Sequence, residues 1–175
     1  MSQPAQSFAA LPIAYFVLRV LIVVNWFGGA AILALLIVMP NQQWIMSAFD
    51  LSPGPEAERV VLALRAIASL GLGVILLSWV ILKRLLAMVQ TVREGDPFVP
   101  ANASRLLTIA RTLLGLQLIS LVIAAIAKSV STPEHPLNLD AGFSVNGWLA
   151  VLLTFVLARV FAAGALMRED LEGTV

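Results

Sequence analysis

The sequence predicts an all-α integral membrane protein, a four-helix bundle with both termini in the cytoplasm. Three observations lead there. Of 175 residues, 60% are hydrophobic and only 12% are charged, and the mean hydropathy is +0.95. A soluble domain is nearer half apolar and a quarter charged, and a chain this short cannot bury such an excess, so lipid must be part of its solvent. Four apolar runs of bilayer-spanning length stand two before and two after a polar stretch, Thr91 to Arg105. Basic residues gather around that stretch rather than in the other two connections.

The first span is placed at 11–39. Pro12 is tolerable in a first helical turn, and from Val20 to Met39 the only strongly polar residue is Asn25. About 20 such residues cross the hydrocarbon core. Gly28, Gly29, Ala30, Ala31 and Ala34 make a patch where another helix can approach closely. Pro40 ends the span, and Ser52-Pro53-Gly54-Pro55 is a turn signal before the second. That first loop is acidic, with Asp50, Glu56 and Glu58, and its Trp44 and Phe49 suit an interface.

The second span is placed at 59–82, with Gly71 and Gly73 as a further packing site and Trp79 as an interface anchor before Lys83 and Arg84. The helix is expected to continue past the membrane to about Gln90, and Gly95 followed by Pro97 is a stop signal. The third span is placed at 109–128, after a helix start capped by Asn102 or Ser104. The segment 83–108 between the two is a hinge. The fourth span is placed at 148–167, after a Pro- and Gly-containing loop, with Trp148 as an outer interface anchor. The whole chain reads as one membrane domain.

Orientation follows from Lys and Arg near the ends of spans. The hinge region holds Lys83, Arg84, Arg93, Arg105 and Arg111, whereas the other two loops hold Arg59 and Lys128. The hinge is therefore expected in the cytoplasm, and with four spans both termini join it. Each span carries one arginine, at 19, 65, 111 and 159, with 92 and 94 residues between equivalents. A pseudo-repeat of two helical hairpins would explain this, and chance would too.

Several function classes find no residues to carry them. A net charge of +1 is too small for a nucleic-acid-binding surface. No cysteine is present, and His135, the single histidine, has only Glu134 and Asp140 nearby. No catalytic, metal-binding or cofactor-binding set is visible, so no enzyme is expected. No Asp or Glu lies inside a span, which argues against a proton-coupled transporter.

Two sets of residues remain as candidate sites. Charges within spans are costly and default to a functional hypothesis. Arg65, Arg159, Asn25 and Gln117 are therefore candidates for an intramembrane polar site, with Arg159 expected to point into the bundle and Arg19 towards the inner headgroups. Snorkelling arginines and interhelical hydrogen bonds are the structural alternative. The second set lies where hinge and tail emerge together: Arg93, Glu94, Asp96 and Phe98 with Arg168, Glu169, Asp170 and Glu172. Phe98, between Pro97 and Pro100, is either an anchor to the interface or a contact for a soluble partner.

The hinge motif Gly95-Asp96-Pro97-Phe98, with Asn102 and Arg105-Leu106 after it, resembles the signature of a bacterial four-span membrane family of unknown function, domain of unknown function 2975. The Arg168-Glu169-Asp170 cluster and the acidic close on Gly173-Thr174-Val175 resemble that family's ending. The resemblance implies genes beside small Cro/C1-type helix-turn-helix regulators, and so a sensor or tether for a DNA-binding partner. It implies no catalytic residues. The function expected is a multi-pass inner-membrane protein of regulatory or sensory type, acting through its cytoplasmic face, with the bilayer, a cytosolic regulator and further copies of itself as partners. The alternative is a small oligomeric transporter or channel subunit with an arginine-lined path.

Overall fold

The computed structural model describes residues 7–38, 54–132, 137 and 139–172, with side chains described for 11–37, 54–132, 137 and 139–170. Trp44, Phe49 and Asp50 of the first loop, Glu134 and His135 of the third, and residues 173–175 lie outside the described residues. Among those described, four helices and no strand are found: α1 Ser7–Val38, α2 Pro55–Arg93, α3 Pro100–Val130 and α4 Val145–Glu172. Each is long and apolar enough to cross a membrane. The chain is thus all-α, with the composition of a multi-pass membrane protein.

The ends of the helices follow from local chemistry. Pro55 and Pro100 open α2 and α3, where a missing N–H costs nothing. Glu56 and Glu58 in the first turn of α2, and Arg93 in its last, complement the helix dipole. Gly95 ends α2 with a positive φ of 90°. Its N–H donates to Val92 O (3.1 Å) and that of Asp96 to Thr91 O (3.0 Å), the paired bonds of a Schellman cap. Within 83–108, only residues 94–99 leave the helical form, and these make the turn proper.

Neighbours in sequence are neighbours in space: α1 packs on α2, α2 on α3 and α3 on α4. Among the described residues no other pair of helices packs together, so the bundle is an open row with α1 and α4 at its edges. Glycines set the seams reciprocally. Ile75 of α2 lies against Gly28 and Gly29 of α1, and Ile32 of α1 against Gly71 of α2. Ile119 of α3 lies against Gly73, and Leu77 of α2 against Gly115 of α3. In lipid no hydrophobic force drives helices together, so this close fit supplies the attraction. Val151, Ala158 and Ala165, seven residues apart, are the buried line of α4.

The last helix is out of step. Gly147, in its first turn, faces the Gln117 side chain, thirteen residues before α3 ends, or ~20 Å at 1.5 Å per residue. The segment before it covers the rest of α3. Gly142, at φ 126°, donates its N–H to Ser120 Oγ (2.9 Å). Trp148 therefore lies along the middle of α3, with its indole N–H buried.

Candidate functional site

The hinge is held from beneath by one buried side chain. Asn102 has no exposed surface. Its Nδ2 donates to Thr91 Oγ1 and to the Pro97 carbonyl, both at 2.8 Å. Arg105 Nη1 donates to Asn102 Oδ1 (2.8 Å) and also reaches Ala87 O (3.2 Å). The Thr91 hydroxyl has one proton and donates it to Met88 O (2.8 Å), which leaves its lone pairs for Asn102. The end of α2, the turn and the start of α3 thus share one hydrogen-bonded knot. Asn102 is not the helix cap: Val99 occupies that place, and the Asn102 N–H donates to its carbonyl (2.9 Å). With Pro100 at the first helical position, Asn102 falls one turn inside, where its side chain faces the turn.

Hinge and tail meet, as their common side suggests. Arg168 of α4 pairs with Asp96. Phe98 packs against Phe161, with ring centroids 5.3 Å apart, and against Gly164, where a Cβ would sit 3.0 Å from Cδ1. One face of Phe98 is thus packed on α4, and 43% of the residue stays exposed. Beside it, Pro100, Ala103, Ala162, Ala165, Leu166 and Glu169 line a groove of about 280 Å³. Glu94 and Asp170 are exposed on the same end of the bundle. Arg93 turns away to α1, its guanidinium 5.1 Å from the Tyr15 ring centroid. Glu172 is helical, and its side chain lies outside the described residues.

The four intramembrane candidates are not brought together. Asn25 is half-buried in the α1–α2 seam and donates to Ile75 O (3.1 Å). Gln117 lies in the α3–α4 seam against Gly147. Arg65 is half-buried on α2. Arg159 is exposed on α4, contrary to the expectation that it points inward. The reason is the packing line of that helix: Ala158 is buried against α3, which turns the next residue outward. Among the described residues α2 and α4 do not pack on each other, so Arg65 and Arg159 stand on helices that do not adjoin. Arg19 reaches one turn back towards the hinge end and donates to Tyr15 Oη (2.6 Å).

Sequence reasoning missed the role of Asn102. The signal available was its place seven residues after a helix-ending Gly and three before an arginine, which suits a turn lock as well as a cap. No curated protein and no solved structure matches the chain. A family model matches residues 50–175, which takes in α2, the hinge with its Asn102 knot, α3 and α4 with its tail, and the chain belongs to that family, described as "Protein of unknown function (DUF2975)".

Proposed function

We propose that this is a regulatory or sensory protein of the bacterial inner membrane, with the hinge and both termini in the cytoplasm, acting through the hinge–tail face on a soluble partner. The observation that supports this most is the joining of hinge and tail by the Asp96–Arg168 pair and the Phe98–Phe161 contact. A half-exposed aromatic ring, an adjoining apolar groove and charges of both signs suit a transient protein contact, in which a buried aromatic anchor carries most of the energy. The family resemblance favours a helix-turn-helix regulator as that partner. Signal transfer would run through the turn: a tilt of α2 against α3 moves the residues that Asn102 ties together, and with them Asp96 and Phe98. The basic balance of the middle segment supports the orientation.

The test is partner recovery from native membranes. Phe98→Ala and deletion of residues 169–175 are each expected to lower capture of the cytosolic partner at least fivefold while the protein stays in the membrane. Recovery of the same partner at wild-type yield by both variants would make this face structural only.

A further inference from the structure

We propose that the α1–α2 seam at the hinge end is a headgroup site for an anionic phospholipid, bound through its phosphodiester by Arg19, Lys83 and Arg93. On α1, Tyr15, Arg19 and Trp26 are spaced four and seven apart, one stripe of a helix. On α2, Lys83 follows Trp79 by four residues and Arg93 by fourteen, which at 3.6 residues per turn sets them about 40° to either side of it. The two stripes face the same side of the seam, because they touch at both ends. At the hinge end Arg19 and Arg93 share the Tyr15 ring, at 4.9 and 5.1 Å from its centroid. Towards the middle of the bundle Trp26 meets Trp79 edge to face at 6.1 Å, and Lys83 Nζ stands 4.7 Å over the Trp79 ring.

The window between these two aromatic marks is ~16 Å along α1, and Arg19 and Lys83 enter it from opposite ends, each ~6 Å in. They stand on facing helices with their charged heads drawn apart, Arg19 to Tyr15 and Lys83 to Trp79, so a bound phosphate would draw both long side chains into the window between them. All three cations are exposed, and none is paired with a carboxylate among the described residues. Contact with an aromatic face does not neutralise a cation.

The position decides for a lipid rather than a free anion. Arg19 and Lys83 are the first charges met on leaving the uncharged runs 20–38 and 66–82, so they mark the edge of the hydrocarbon layer. Trp26 and Trp79 on the apolar side give a wall for the glycerol and the first carbons of an acyl chain. Arg84 and Arg111 are exposed at the same end but have no aromatic partner among the described residues. The site does not depend on which side of the membrane the hinge faces, nor on the regulatory reading.

The experiment is native mass spectrometry of the full chain in mild detergent with equal amounts of phosphatidylglycerol and phosphatidylcholine of the same chains. The wild type is expected to retain one phosphatidylglycerol at least tenfold over phosphatidylcholine. Combined Arg19→Gln, Lys83→Gln and Arg93→Gln should abolish the preference, Arg19→Lys with Arg93→Lys should keep it, and Arg84→Gln with Arg111→Gln should leave it unchanged. Equal retention of both lipids by the wild type overturns the proposal whatever the variants do. So does an equal loss in the Arg84 and Arg111 variant, which would mean general surface charge. Displacement of the lipid by millimolar inorganic phosphate would show a free-anion site instead.

Discussion

Replacing Asn102 by Ala should loosen the hinge far more than its exposed neighbours would suggest. The substitution removes two bonds to neutral partners, Thr91 Oγ1 and Pro97 O, and one from the Arg105 guanidinium. Neutral bonds contribute about 1 kcal/mol each and one to a charged group about 2. The three together come to roughly 4 kcal/mol, and water entering the opened turn returns part, so about 2–4 kcal/mol is expected. At 1.4 kcal/mol per decade this is a rise of roughly 30- to 700-fold in local opening. The readout is hydrogen exchange in nanodiscs at the Gly95 and Asp96 amides, whose bonds to Val92 and Thr91 close the cap. Asn102→Asp keeps the acceptor for Arg105 and loses both donations, so it should fall between wild type and Ala. Exchange at residues 94–99 within threefold of wild type in Asn102→Ala would refute the idea that this side chain holds the turn.

Three further outcomes follow from the geometry. Cys at Glu94, exposed at the helix end, should be shielded from impermeant thiol reagent in intact cells, and Cys at Ser131 labelled; the reverse pattern inverts the orientation. Gly147→Ala puts a Cβ 1.6 Å from Gln117 Nε2, so the amide must swing out at a cost of about 1 kcal/mol in detergent unfolding; Gln117→Ala in the same chain should relieve it, and additive losses would rule out the contact. Arg159→Leu should leave thermal stability within about 0.5 kcal/mol of wild type, while Arg19→Leu, which loses the Tyr15 bond, should lower it more; the opposite ranking would mean that Arg159 is buried in an assembly.

The fold was legible because bilayer-spanning helices need little beyond length and apolarity, and both are written in the runs around Gly28, Gly71, Leu113 and Val156. The turn was legible because Gly95 and Pro97 act locally, through a positive φ and a missing N–H. Pairing of Asp96 with Arg168 could be expected from topology, since both leave the bundle on one side. Three things were not legible. The outward direction of Arg159 depends on which face of α4 is buried, and that helix is apolar nearly all round, so no stripe betrays it. The displaced start of α4 depends on the contact of Gly147 with Gln117, which is tertiary. The role of Asn102 depends on Pro100 starting the helix two residues earlier.

The open row has a consequence for synthesis. Because among the described residues α1 packs on α2, α2 on α1 and α3, and α4 on α3, with no other pairing of helices, each of these surfaces joins segments made one after the other. A helix leaving the ribosome finds its earlier partner already made and waits for no distant one. Contacts of short sequence separation form fast and leave few half-built states open to misassembly. The same order predicts where assembly can be interrupted. Truncation after Val130 leaves α1, α2 and α3 with both of their seams complete, whereas removal of α2 strands α1 with no surface to join.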